Sequence, residues 1–168
     1  MSPAAPAERV RPVDRAFRLA LWVAYRVLLV GWFVFRPRGR GVLIAVWHEG
    51  RLLTIRNSYR GWLALPAGGI ERGETPLDAA LRELREEVGI ASTPEAMRFV
   101  REIPTTFEWK RDICSLFELH LDAPIEPRVD RREVVWAGFV APDDALRADL
   151  APPVRVYLEA RKGERSDA

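Results

Sequence analysis

Glu83, Glu86 and Glu87 stand at i, i+3 and i+4 within residues 68–90, which read G-G-I-E-R-G-E-T-P-L-D-A-A-L-R-E-L-R-E-E-V-G-I. On a helix, that spacing brings three carboxylates out side by side. Anions so close repel one another in water, and a divalent cation or a set of basic partners among them relieves the repulsion. The stretch holds no Cys or His, so the donors are oxygens, which suit a hard ion such as Mg²⁺ or Mn²⁺ rather than zinc. The competing reading of an acidic triplet is the solvated face of a surface helix. Gly68, Gly69 and Gly73 precede the triplet, and glycines there let the backbone turn sharply and approach a metal ion or a phosphate.

The element that must carry these groups is legible around them. Thr75 can act as N-cap, Pro76 fits the first helical position, and Asp78 falls where a capping acid belongs. Leu77, Ala80, Leu81, Leu84 and Val88 recur at three- and four-residue steps, which predicts one apolar stripe. Gly89 stands where a left-handed C-cap is expected.

Gly68, Glu74, Arg82, Glu83, Leu84, Glu86, Glu87, Gly89 and Ile90 match, without a gap, the pattern G-x5-E-x7-R-E-U-x-E-E-x-G-U, where U is a bulky aliphatic. The stretch therefore resembles the Nudix box, and the strand pattern over residues 41–160 is similar to a Nudix domain, though less diagnostic. The resemblance implies an α/β/α sandwich with a mixed sheet, and hydrolysis of a diphosphate linkage with Mg²⁺ or Mn²⁺. It implies that Glu83, Glu86 and Glu87 ligate the metal, with the Ala67 carbonyl as a further ligand, and that Arg82 holds the carboxylates by ion pairing. Glu74 is expected to serve structure. The general base stays open among Glu86, Glu133 and Glu108. The expected substrate is a phosphorylated small molecule: a nucleotide sugar, a dinucleotide or a nucleoside triphosphate. Arg56 and Arg60, with Gly68 and Gly69, are candidates to contact it, because guanidinium pairs well with phosphate.

Other classes compete, among them a membrane-bound hydrolase of lipid-linked diphosphates, with the apolar N-terminal segment bringing the cleft to its substrate. A Nudix-fold binding module without turnover is expected to have lost some of these acids. A prenyl-diphosphate isomerase would need an added catalytic cysteine, and Cys114 is a poor case, since a lone strand cysteine is usually core. The segment L-L-T-I-R from Leu52 is faintly similar to a coenzyme A signature, whereas 65–69 (L-P-A-G-G) looks like the variant in nucleoside-diphosphate-sugar hydrolases.

At 168 residues and 48% hydrophobic, the chain suits one folded domain. A formal net charge of +2 is too small to suggest a nucleic-acid binder by itself, and no nucleic-acid partner is expected. Cys114 is the only cysteine, so no internal disulfide forms and a reducing cytoplasm is expected. His48 and His120 lie too far apart in sequence to suggest a metal pair.

The N-terminal region poses a separate problem. Residues 1–13, with Pro3, Pro6 and Pro12, are expected to be disordered. Residues 14–37 predict a helix whose part from Leu19 to Phe35 is apolar except for Arg26. A membrane span needs about 20 apolar residues, and Arg26 at mid-membrane would cost about 2.5–3.5 kcal/mol. A secretory signal lacks a small-x-small cleavage site. The third reading is an amphipathic helix with Arg11, Arg15, Arg18 and Arg26 on one face. With Arg36, Arg38 and Arg40 it could lie on an anionic membrane surface, pack on its own domain, or join a second copy as a homodimer.

The domain proper is expected over residues 38–162, with a tail at 163–168. Strands are predicted at 42–47, 51–56, 97–103, 112–121 and 134–140, with a plausible mobile loop at 104–109. A short helix from Pro142 and a last one from Pro153 complete the pattern.

Overall fold

The structure, a computed structural model, describes residues 11–166, with side chains to residue 163. Its elements in chain order are α1 (Pro12–Phe35), β1 (Arg38–His48), β2 (Arg51–Asn57), β3 (Ala67–Gly69), α2 (Pro76–Val88), β4 (Met97–Phe107), β5 (Lys110–His120), β6 (Val134–Val140), α3 (Pro142–Arg147) and α4 (Pro152–Ser166). The strands form one mixed sheet in the order β4-β5-β1-β2-β6, with β3 on β1. Among these strand pairs, β1–β5 is parallel and the others are antiparallel.

Strand β1 reads as a continuous apolar run because both its faces are covered. Val42, Ile44 and Val46 pack with Ala79, Ala80, Leu84 and Val88 of α2. Leu43, Ala45 and Trp47 pack on the other side with Val154, Tyr157 and Leu158 of α4. The result is the expected α/β/α sandwich. β5 runs along one edge of β1 from Arg38 to Trp47. The other edge is shared, with β2 pairing at Trp47 and His48 and β3 pairing at Gly41–Leu43. Between β3 and the rest of β2 the sheet divides, and a cleft of about 740 Å³ opens there.

Helix α2 starts where the capping signals put it. The Thr75 hydroxyl accepts from the Asp78 amide at 3.1 Å, and the Asp78 carboxylate accepts from the Thr75 amide at 3.4 Å. Such a cap contributes about 1 kcal/mol. Gly89 ends the helix at φ 68°, a left-handed value that a β-carbon disfavours. Burying Leu84 and Val88 completely contributes about 1.5–3 kcal/mol each, so packing on the sheet, more than capping, fixes the helix.

Several boundaries differ from expectation. α1 begins at Pro12, and the rest of the expected disordered segment, residues 1–10, lies outside the described residues. α4 runs on to Ser166, so 163–166 are helix rather than tail. Residues 104–109 are not a loop. β4 and β5 continue to Phe107 and Lys110 and close through Glu108 and Trp109, both left-handed at φ 53° and 67°. Two-residue turns of that kind normally carry Asn or Gly, so no local signal announced this one.

Tertiary contacts with α1 hold it instead. The Tyr25 hydroxyl donates to Glu108, Phe33 packs edge-on against Trp109 at 5.0 Å, and the Lys110 ammonium lies 4.5 Å from the Trp32 ring centre. Nearer its start, α1 pairs Asp14 with Arg132 at 3.2 Å, and Arg18 donates to the Arg131 carbonyl at 2.7 Å. The helix thus lies lengthwise on its own domain. Arg18, expected on an outward basic face, is turned inward.

Candidate active site

Arg82 is the hub of the glutamate cluster. Its guanidinium grips Glu74 with two bonds, at 2.9 and 3.0 Å, and donates to the Gly69 carbonyl at 2.9 Å. The same group reaches Glu83 at 2.6 Å and, more loosely, Glu86 at 3.4 Å. Glu74 sits in the loop before α2 and Arg82 on the helix, so this fork ties the two together. That is the structural part expected of Glu74.

Glu87 lies beneath this layer. The Ala67 amide donates to its carboxylate at 2.9 Å. Enclosure pushes its pKa up to about 8 in spite of that bond, and the charges of Glu83 and Glu133 add to the rise. Glu83 is raised for the same first reason, burial, with Arg82 opposing and Glu86 and Glu133 reinforcing. Gly68 makes room for this arrangement. A β-carbon there would come 2.7 Å from Glu83 Cγ and overlap its carboxyl group. The cluster therefore carries more negative charge than its own arginine compensates, and all its donors are oxygens. That chemistry fits a hard divalent cation. Among the described residues no three His, Cys, Asp or Glu groups converge on one point as the side chains stand, since Arg82 occupies Glu83 and Glu86.

The opposite wall comes from the loop after β2. Arg60 pairs with Glu108 at 2.7 Å and lies beside the rings of Tyr25 and Tyr59, 5.2 and 5.3 Å from their centres, which are themselves 5.0 Å apart. Tyr59 donates to Glu133 at 2.9 Å. Glu133 in turn is set by the Asp130 side chain, which accepts from its amide at 3.0 Å. Arg60 Nε and Trp62 Nε1 are buried donors with no partner among the described residues, and both residues line the cleft.

The structure brings Glu83, Glu86, Glu87, Glu133, Arg60, Ala67, Gly68 and Gly69 to one cleft. Arg82 stands directly behind, bonded to two of those glutamates. Arg56 is the exception. It is exposed, pairs across the ladder with Trp136, and does not line the cleft. Its place in β2 shares the parity of Leu52, which faces α4, whereas Leu53 and Ile55 face α2. Glu108 also lines the cleft, but both its oxygens are engaged, by Tyr25 and Arg60, and its side chain is only 5% exposed. That occupancy removes it from the candidates for general base.

Sequence reasoning missed Tyr25, Trp32 and Tyr59. A signal existed for the first two. Asp14, Arg18, Leu21, Tyr25, Leu29 and Trp32 recur at three- and four-residue steps, and with Gly31 they are the positions of α1 least exposed to water.

A family model described as NUDIX domain matches residues 29–160. An uncharacterized Nudix hydrolase of Pseudomonas aeruginosa is 34% identical over 139 residues, covering 73% of this chain and 79% of that protein. An RNA pyrophosphohydrolase of Bartonella clarridgeiae is 39% identical over 84 residues, and the match spans 48% of this chain but only 43% of that protein. Among solved structures, the MutT protein of Methanosarcina mazei Go1 superimposes with a TM-score of 0.65 at 21% identity, over 78% of this chain and 97% of that one. An Ap4A hydrolase of C. elegans gives 0.64 at 16% identity, over 77% and 99%. Likeness at such identities speaks for the fold alone. The family model reaches from within α1 into α4 and takes in every cleft glutamate, so the chain belongs to the Nudix family and is a Nudix-type diphosphate hydrolase.

Proposed function

We propose that this hydrolase cleaves the diphosphate linkage of a nucleoside diphosphate joined to a further group, by attack of water at phosphorus. The observation that carries the reading is the opposition of charge across the cleft. Glu83, Glu86 and Glu87 line it from α2, and Arg60 and Trp62, each with a buried donor that has no partner among the described residues, line it from the loop after β2, to which Glu133 is joined through Tyr59. A bridging diphosphate needs both: donors for its phosphate oxygens and carboxylates for the cation that accompanies it.

Glu83, Glu86 and Glu87 are the residues that would hold Mg²⁺ or Mn²⁺, beside the Ala67 backbone. When bound, the ion neutralises phosphate oxygens and acidifies a water. Arg82 keeps the carboxylates in place, and releasing Glu86, more than half exposed, frees it to turn to the ion. Glu133 takes the proton of the attacking water. Its Oε1 already accepts from Tyr59, which leaves Oε2 for that proton. The new P–O bond forms as the bond to the leaving phosphate breaks in line.

Arg60 binds phosphate only if it is held, and Glu108 and Tyr25 hold it. Tyr25→Phe therefore raises KM several-fold with little change in kcat. It also lowers stability by about 1–3 kcal/mol, because the buried Glu108 carboxylate loses a donor. Steady-state kinetics and thermal unfolding check both.

The substrate is settled by product analysis on a panel of nucleotide sugars, dinucleotides, nucleoside triphosphates and 5′-triphosphorylated RNA, each with Mg²⁺ or Mn²⁺. The RNA is included because of the relatives named RNA pyrophosphohydrolase, against the expectation of no nucleic-acid partner. Release of a nucleoside monophosphate, or of inorganic pyrophosphate, with ¹⁸O from labelled water on one product is expected. Absence of turnover on every compound, with metal binding intact, overturns the reading in favour of a binding module.

A further inference from the structure

We infer that the outward face of α1 docks in the plane of an anionic lipid bilayer. The helix has 24 residues, about 36 Å at 1.5 Å per residue. Its inward stripe is spent on the domain through Asp14, Arg18, Tyr25 and Trp32. The opposite side has no partner among the described residues. Leu19, Val23, Val27, Val30 and Val34 follow one another along it, each at least 48% exposed. Five large apolar side chains in one row exceed the single exposed residues that any surface carries.

Charge selects the occupant. The only acid in α1 is Asp14, and Arg132 neutralises it on the domain side. The rim of the apolar row holds Arg15 and Arg26, and the chain leaves the helix through Arg36 and Arg38, all exposed. An apolar strip edged by arginines alone matches an interface of acyl chains and anionic headgroups. A second copy of the same face would bring Arg15 and Arg26 near their counterparts, with no acid of α1 to meet them. A membrane-spanning orientation is disfavoured for another reason. The contacts of Asp14, Arg18, Tyr25 and Trp32 lie along the whole helix, and standing it upright would break them all. The inference does not depend on which diphosphate is cleaved, although the inner face of the same helix supplies Trp32 to the cleft wall.

Flotation of the full chain with vesicles tests it. Vesicles of phosphatidylcholine with phosphatidylglycerol should carry the protein upward, and phosphatidylcholine alone should not. Each arginine near the surface strengthens binding about fivefold, so the double variant Arg15→Glu, Arg26→Glu should lose at least about 25-fold. Val27→Glu should abolish flotation while circular dichroism and turnover of a soluble substrate stay as in the parent. Protein left at the bottom of the gradient with anionic vesicles overturns the proposal. So does equal flotation with neutral vesicles, which would indicate insertion without a charge requirement. A dimer in gel filtration that Val27→Glu dissociates, with no flotation by the parent, would assign the face to a second copy.

Discussion

Glu87→Gln is expected to reduce turnover by about a thousandfold, the several kcal/mol that a correctly held metal ion contributes to the transition state. The same change should make the metal-free protein more stable at pH 8. Glutamine keeps an acceptor for the Ala67 amide, so the local backbone is undisturbed. What it removes is a carboxyl group whose pKa the fold raises to about 8. The direction follows from proton counting. Between the ordinary carboxylate value of 4.5 and about 8, the folded protein retains a proton that the unfolded chain has released. Folded protein then binds more protons, and stability falls as pH rises through that window. The full shift corresponds to at most about 5 kcal/mol at 1.36 kcal/mol per pH unit. Water reaches this partly exposed side chain, so a gain of about 2 kcal/mol for the variant at pH 8 is expected, and none below pH 4.5. Denaturant titrations of both proteins at the two pH values measure it. Mg²⁺ should stabilise the parent at pH 8 and leave the variant nearly unmoved. A variant that turns over normally, or that Mg²⁺ protects as well as the parent, removes Glu87 from the metal site.

Glu118→Gln should show the reverse pattern: a large loss of stability with the cleft chemistry intact. Glu118 lies in β5 with its side chain 1% exposed, and it does not line the cleft. Tyr157 donates to it at 2.6 Å and Arg161 at 2.7 Å, while Arg98 reaches it from β4. Trp47 donates to the Tyr157 hydroxyl at 2.8 Å and also lies beneath the Arg161 guanidinium at 4.6 Å. Burial alone would raise the carboxyl pKa. The bonds from Tyr157 and Arg98 and the charge of Arg161 outweigh that and draw it down to about 2. The contribution is therefore complete above pH 4.5 and disappears as pH falls toward 2. At neutral pH it amounts to about 3 kcal/mol. For a domain of this size that is a drop in Tm of about 6–12 °C. Acid unfolding of the parent should steepen in that window, and the variant should lack the steep phase. An unchanged Tm would mean that the surrounding arginines find other partners.

Two glutamates are thus held in opposite ways: burial raises the carboxyl pKa of Glu87, and Glu118 is satisfied by the fold itself. Both are glutamates in regular elements; the acidic triplet marked Glu87 locally, whereas nothing local marked Glu118 as a buried, satisfied carboxylate. The helix carrying Glu83, Glu86 and Glu87 was legible because capping, periodicity and the C-terminal glycine all act within a few residues. The core strands were legible because burial on both faces leaves a run of apolar residues that no surface segment would tolerate. The hairpin turn at Glu108 and Trp109 was not. Its left-handed backbone is stabilised by Tyr25 and Phe33 from a helix more than seventy residues away in sequence. Arg56 was misplaced because guanidinium chemistry says nothing about which side of a strand it leaves.

By itself, then, the order of residues determined the acidic helix and the oxygen donors, which rest on short-range spacing and on hydrophobic periodicity, and carried the family resemblance that implied the sandwich. Only the folded chain decided that Arg60 and not Arg56 reaches the cleft, which carboxylates remain uncompensated, and that α1 braces the cleft wall with one face while leaving the other exposed. Those are properties of juxtaposition. They depend on how far burial shifts a charge and on what lies across a gap, and neither quantity exists until distant segments meet.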